Sequence, residues 1–308
     1  MKIARIMVPR LGKRLAIVDD EEALVLSNPR YGGPRGFLTL FKEAQSKKVS
    51  IEQYVRDVVK KDRRIRRVRL PQQLGEVDKS PRLLIPLLPP EVWGAGVTYL
   101  RSREAREYET VAKGIYDRVY EAKRPEIFFK ATPSRCVGPG EDAFIRSDTN
   151  WSVPEPELAL IIGPRHEILG YTIGNDLSAR DIEGENPLYL PQAKIYRGSC
   201  ALGPVISTQE SVGDAKNLTI TMAIYRGGEK VYEGSTSTAR LKRSFEELIH
   251  YWVLDNVIPA GSVLLTGTGI VPPDDFSLQD GDVVEIEIEK IGVLRNRIRR
   301  LSSRGKQS

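Results

Sequence analysis

Residues 153–163 read VPEPELALIIG, and residues 170–181 read GYTIGNDLSARD. In the first stretch two carboxylates flank a proline immediately before a continuous apolar strand. Side chains in a strand alternate with period 2. Glu155 and Glu157 therefore project to the same side, about 7 Å apart at Cα, close enough for both to hold one hard cation. Read alone, the pair is equally an exposed pair of acids at a strand start. Asp176 tips the balance, because it follows a second strand that ends at a Gly-Asn turn. Three carboxylates at strand ends, with no His or Cys alternatives nearby, suit Mg2+, Mn2+ or Ca2+ better than zinc.

Outward from this segment the chain divides in two. Residues 1–88 are expected to form a small α/β domain: strand-like KIARIMV, RLAIV and ALVL precede two helical stretches. The second of these is placed near 51–61. Ser50 and Gln53 form a capping pair there, and Ile51, Tyr54, Val55, Val58 and Val59 repeat at the spacing of one buried helix face. Prolines 81, 86, 89 and 90 then mark a boundary near residue 88. The remainder, 89–308, is mostly short strands. A helix is expected from about 102 to 121, with Ala105, Tyr108, Ala112, Tyr116 and Val119 inward, and another from Ser244. A hairpin turns at RGGE, residues 226–229, and Val284, Ile286 and Ile288 mark a half-buried strand whose Glu285, Glu287 and Glu289 face water. The fold class expected is α+β.

The 308 residues carry a formal net charge of +6, with basic runs at 61–70 and 295–306. Neither run interleaves aromatics, so a nucleic-acid-binding module is the weaker reading; it would also leave the three carboxylates unexplained. No apolar stretch approaches the roughly 18 residues needed to span a bilayer, and no membrane or nucleic-acid partner is expected. Two cysteines, Cys136 and Cys200, exclude a disulfide framework, and a reducing cytoplasm is the expected location. Two histidines in unrelated contexts, His166 and His250, argue against a histidine-based metal site or triad.

PEPELALIIG, GYTIGNDLSARD, Lys194 ahead of LGPVI, LLTGTG and DGDVVEIEIEKIGVLRN follow the order and spacing of the fumarylacetoacetate hydrolase superfamily over about residues 90–300. The chain resembles that family. The resemblance implies a mixed, mostly β roll, a homodimer or homotetramer, a divalent metal on Glu155, Glu157 and Asp176, and Lys194 beside it.

Departures from the family pattern bear on the reaction. Where hydrolytic members carry a histidine that activates water, GVTYLRSREARE places Ser102, and Ala105 stands at the glutamate position. Arg197 replaces a common Asp, able either to bind a substrate carboxylate or to pair structurally, and Gly269 replaces a proline. GVTYLRSREARE with TGTGIVPP is similar to the sugar-acid dehydratase branch. That likeness implies dehydration of a small 2-keto-3-deoxy acid; acylpyruvate hydrolysis, oxaloacetate decarboxylation and keto–enol isomerisation are the alternatives within the superfamily. In RPEIFFKA, alternation puts Glu126, Phe128 and Lys130 on one side of a strand. A carboxylate beside an aromatic and a cation can be tuned as a base. The family's corresponding strand borders the metal, so Glu126 is the expected base, with Lys194 or a metal-bound water as the acid. Lys130, Ser199 and Thr268 are the candidates to hold substrate oxygens.

Overall fold

The protein's structure, a computed structural model, describes residues 1–19, 22–70, 81–111 and 113–302. Ala112 and the end of the basic run at 295–306 lie outside the described residues. Strands β1 (Lys2–Val8), β2 (Gly12–Asp19) and β3 (Glu22–Val25) form an antiparallel meander. Helices α1 (Gly36–Ser46) and α2 (Ile51–Lys61) follow, then β4 (Arg66–Arg69) beside β3 and β5 (Arg82–Leu84) beside β1. Next come β6 (Val92–Gly96), α3 (Leu100–Glu109), α4 (Ile115–Glu121) and β7 (Glu126–Ala131), which returns antiparallel to β6. Short strands β8 (Cys136–Val137), β9 (Ala143–Ile145) and β10 (Ser152–Val153) lead to the antiparallel pair β11 (Pro156–Ile162) and β12 (Ile168–Asp176). Strand β13 (Ser178–Ala179), α5 (Arg180–Glu185) and α6 (Leu190–Lys194) precede β14 (Cys200–Thr208), which lies alongside β12. After α7 (Gln209–Val212) come the hairpin β15 (Thr219–Arg226) and β16 (Glu229–Ser237), α8 (Phe245–Val253), β17 (Val263–Leu265), β18 (Val283–Ile288) and β19 (Gly292–Arg300).

Among the described residues one large sheet runs β4-β3-β2-β1-β14-β12-β11-β17-β6-β7, and a second runs β16-β15-β18-β19-β9. The architecture is α+β. Residues on both sides of position 88 share the large sheet, because β1 pairs with β14 at Lys2↔Ser207 and Ile3↔Ile206.

Strand β11 is buried at every position, and its alternation explains why its sequence is apolar throughout. Leu158, Leu160 and Ile162 join Ile220, Ile286 and Leu294 in a core shared with the second sheet. Ala159 and Ile161 point the other way, into a core with Ile3, Leu202, Phe37 and Val55 under α1 and α2. Neither face of β11 meets water, so polar side chains are tolerated only where the strand opens at its N-terminal end.

The capping residues act as their positions predict. Ser50 accepts from the Gln53 N–H and Ser244 from the Glu247 N–H, which fixes the starts of α2 and α8. The helix expected over 102–121 is instead two helices. α3 ends at Glu109 with Thr110 extended, the Val111 N–H crosses to Gly184 O, and Gly114 at φ +80° starts α4. A β-branched pair followed by a glycine in the left-handed region breaks the run that side-chain periodicity alone continues.

Both basic runs lie at strands. Within 61–70, Arg67 pairs with Glu22; in the second, Arg295 pairs with Glu285, and Arg299 reaches Asp142 and Asp280. No helix among the described residues is long and apolar enough to cross a membrane. Because Leu160 is fully buried between the sheets, Leu160→Ala should cost about 2–5 kcal/mol in denaturant unfolding. A loss below about 1 kcal/mol would contradict the placement of β11 at the centre of the core.

Candidate active site

Strand geometry delivers the carboxylates. Pro156 and Glu157 pair with Asn175 and Gly174 of β12, and the Asp176 N–H donates to Glu155 O at 3.0 Å, so the entry to β11 lies against the exit from β12. Glu155, Glu157 and Asp176 are all buried, and each offers one oxygen within 4.8 Å of the others. Unscreened convergence of this kind is costly: at an effective dielectric of 20, two charges that far apart repel by roughly 3 kcal/mol.

Cations on the protein offset part of this. Lys194 Nζ, at the end of α6, donates to Glu155 Oε2 at 2.8 Å, Asp176 Oδ2 at 3.1 Å and Ser178 Oγ at 2.6 Å. Glu155 Oε1 accepts from Ser178 Oγ at 2.9 Å and Arg106 Nη2 at 3.0 Å, and Arg180 Nη2 lies 3.1 Å away. Burial works against the Glu155 charge, yet Lys194, Arg106 and Arg180 outweigh it and hold this carboxyl well below the usual range. Burial likewise opposes the Lys194 charge, and Asp176 with Glu155 overcomes it, so the ammonium is held charged. Glu157 is different. Burial, then the charges of Asp176 and Glu155, push it well above the ordinary carboxylate value, and among the described residues its carboxylate accepts from the Gly267 N–H.

That imbalance is the test of fit for a metal. An oxygen-only set with surplus negative charge concentrated at Glu157 suits a hard divalent cation such as Mg2+, and Mn2+ or Ca2+ by the same donor chemistry. No sulfur or imidazole stands in the set.

One pocket is lined by the triad and also by Glu126 and Phe128, whose ring lies 5.4 Å from Lys194 Nζ. β7 places them there by its pairing with β6, Gly96↔Glu126 and Gly94↔Phe128. Both glycines are required by space: a Cβ on Gly96 would strike the Glu126 carboxylate, and one on Gly94 would strike the Phe128 ring. Burial raises Glu126 to about 6, with Arg106 pulling it down and Glu183 pushing it up.

The structure thus brings Glu126, Glu155, Glu157, Asp176, Lys194 and Thr268 into one pocket. Thr268 keeps its hydroxyl in the turn, accepting from the Ile270 N–H at 3.2 Å, while the neighbouring Gly267 has φ +93° and no space for a side chain beside Thr98. Ser102 and Thr268 line the pocket, and neither histidine does.

Lys130 and Ser199 are not brought to the pocket wall. Lys130 lies fully buried behind the triad, pairing with Asp176 and donating to Leu177 O at 2.9 Å and Lys194 O at 2.6 Å; Ser199 Oγ donates to the same Lys194 carbonyl at 2.9 Å. The ammonium of Lys130 is committed to Asp176, Leu177 O and Lys194 O, and the hydroxyl of Ser199 to Lys194 O. Arg197 is exposed and stacks over Phe144 at 5.1 Å, away from the pocket.

Three residues of the site escaped the sequence reading. Arg106 bridges Glu155 and Glu183, Arg180 bridges Glu155 and Glu109, and Glu183 lines the pocket. Arg106 and Arg180 sit inside REARE and SARD, where their motif context was the available signal. Nothing local distinguishes Glu183 from a solvated helix acid.

A model of the fumarylacetoacetate (FAA) hydrolase C-terminal family matches residues 91–299. Over 217 residues the chain is 54% identical to the 2-dehydro-3-deoxy-D-arabinonate dehydratase of Saccharolobus solfataricus, covering 69% of this chain and 73% of the relative. It is 50% identical to a probable 2-keto-3-deoxyxylonate dehydratase of Haloferax volcanii, covering 70% and 74%. Among solved structures it is similar to a 2-keto-3-deoxy-D-arabinonate dehydratase complexed with magnesium and 2,5-dioxopentanoate, with TM-score 0.78 and 40% identity over 98% of this chain and 100% of that one.

Because Gly96 clears space for the Glu126 carboxylate, Gly96→Ala should lower magnesium-dependent turnover by about 10²-fold through a displacement near 1 Å, with the circular dichroism spectrum unchanged. Wild-type turnover in that variant would show that Glu126 does not depend on the contact.

Proposed function

The chain belongs to the fumarylacetoacetate hydrolase family, and from that premise we propose that it is a divalent-metal-dependent hydro-lyase that converts 2-keto-3-deoxy-D-arabinonate to 2,5-dioxopentanoate and water. One observation carries the reading: Glu126, raised by burial to about 6, lines the same pocket as the three-carboxylate cation site, and neither histidine does. Hydrolysis of an acylpyruvate needs a base beside an attacking water, and Ser102 and Ala105 supply none at the positions where hydrolytic members carry His and Glu.

Bound at Glu155, Glu157 and Asp176, a divalent cation supplies the positive charge that polarises a 2-keto group and stabilises enolate charge. Glu126 takes a proton from C3, and the electron pair left behind expels the C4 hydroxyl. A carboxyl group with a pKa near 6 is poised to return that proton to the departing oxygen, so water leaves. Moving a proton from C5 to C3 then gives an enol, and passing the enol proton to C4 gives the C5 aldehyde. Lys194 is a poorer acid than its place in the motif suggested. Its ammonium is held charged by Asp176 and Glu155 and donates to three oxygens, so we assign it to fixing the carboxylates in position. Lys130 and Ser199 act one layer further back by holding the Lys194 carbonyl. Thr268 and Arg106 line the pocket with their polar atoms engaged, Thr268 in its own turn and Arg106 between Glu155 and Glu183, so we assign them to shaping the wall.

Glu126→Gln should lower kcat by about 10²- to 10⁴-fold while leaving magnesium affinity within about twofold, read by product formation and by calorimetry. Retention of wild-type kcat would remove Glu126 as the base. The same residue sets the pH response. A base must be ionised, and burial raises Glu126, so kcat/KM should rise with pH up to about 6 and level off above it. A profile flat from pH 5 to 7, the window around that value, would contradict the assignment.

A further inference from the structure

The two cysteines, 64 positions apart in sequence, are neighbours in the fold. β8 runs parallel to β14 with Cys136 directly opposite Cys200, and adjacent strands place such partners about 4.8 Å apart at Cα, inside the 4.4–6.8 Å range that a disulfide spans. Both side chains enter the same apolar cluster, and Cys136 Sγ donates to Thr132 O at 3.4 Å. Both are reduced in this structure. Cys200 is fully buried, whereas Cys136 is only partly buried, so one member of the pair can be reached from solvent.

The position of the pair connects it to the metal site. Cys200 is the ladder partner of Asp176 in the β12–β14 pairing. The preceding residue, Ser199, accepts from the Leu177 N–H at 3.0 Å and donates to Lys194 O, and Lys130 ties Leu177 O to Lys194 O. Any movement of the start of β14 is therefore passed to Asp176 and Lys194 through a continuous set of hydrogen bonds.

We propose that Cys136 and Cys200 form a reversible disulfide whose closure, by cross-linking the start of β14 to β8, displaces Asp176 and weakens cation binding. The oxidant is a small-molecule disulfide. The Cys136 thiolate attacks one of its sulfurs and expels the first thiolate, which takes up the Cys136 proton. Cys200 then loses its proton and attacks the Cys136 sulfur, expelling the second as a thiol. Two protein thiols lose two electrons and two protons, and the small disulfide becomes two thiols. Closure sets an S–S bond of about 2.05 Å with a dihedral near ±90°, so both side chains must turn toward each other, Cys136 leaving Thr132 O, and the new cross-link constrains the start of β14.

The test uses the full chain, incubated with oxidised glutathione and then freed of it. Denaturing thiol titration and intact mass report closure, and calorimetric titration with MgCl2 reports the site without reference to any substrate. The proposal expects both thiols lost, a mass lower by two hydrogens, magnesium affinity weakened by about tenfold or more, and full recovery with dithiothreitol. Cys136→Ser, at a partly exposed position, should bind magnesium like the reduced wild type and be indifferent to the oxidant; Cys136→Ala serves if the serine variant folds poorly. Two thiols still titratable, a glutathione adduct at Cys136 without ring closure, or a closed disulfide with unchanged magnesium affinity would each overturn it.

Discussion

Everything around the pocket answers to the convergence of three carboxylates on one point inside a protein. Glu155 is the group through which the fold tolerates it. Its two oxygens collect Lys194, Arg106, Arg180 and Ser178, contributed by α6, α3, α5 and β13, so four separate elements are aligned by a single side chain. Removing one partner from a buried ion pair typically costs 3–5 kcal/mol, because the other charge is left without compensation. The three helices at the rim of the large sheet are accordingly fixed by charge as well as by packing.

Compensation is uneven, and the unevenness has chemical content. Glu155 is over-supplied with cations, Asp176 is held between Lys130 and Lys194, and Glu157 has, among the described residues, a single backbone donor against two neighbouring negative charges. A site of this kind leaves an opening for one small, hard, doubly charged ion. In the same pocket, burial raises Glu126 to about 6, while Arg106 and Glu183 pull it in opposite directions. One part of the pocket thus holds charge in place while another can exchange a proton. That arrangement suits enolate-forming elimination, while Ser102 and Ala105 leave out the pair that activates water in hydrolytic members.

Much of the site was legible because β-strand periodicity is local. Glu155 and Glu157 share a side as spacing i, i+2 requires, and the same rule puts Glu126 and Phe128 on the pocket face of β7. Strand alternation says which side a residue takes but not how deep it lies. Lys130 shares the side of Glu126 and yet ends beneath the triad, where its ammonium is consumed by two carbonyls and Asp176. Arg106, Arg180 and Glu183 were hidden for a different reason: in a short polar helix a buried charge has the same local pattern as a solvated one. The pairing of β1 with β14 joins residues some two hundred positions apart, and no local pattern specifies that register. The break between α3 and α4 rests on Thr110, Val111 and Gly114, whose backbone preferences outweigh an otherwise continuous helical stripe.

The most direct test of metal-dependent elimination is product analysis. The protein is incubated with 2-keto-3-deoxy-D-arabinonate and, separately, with an acylpyruvate, each with MgCl2 and with a chelator. Formation of 2,5-dioxopentanoate from the sugar acid, abolished by chelator and restored by added magnesium, is the predicted result. Release of pyruvate from the acylpyruvate with the sugar acid left intact would contradict it, and would mean that water is activated in this pocket by a group other than histidine.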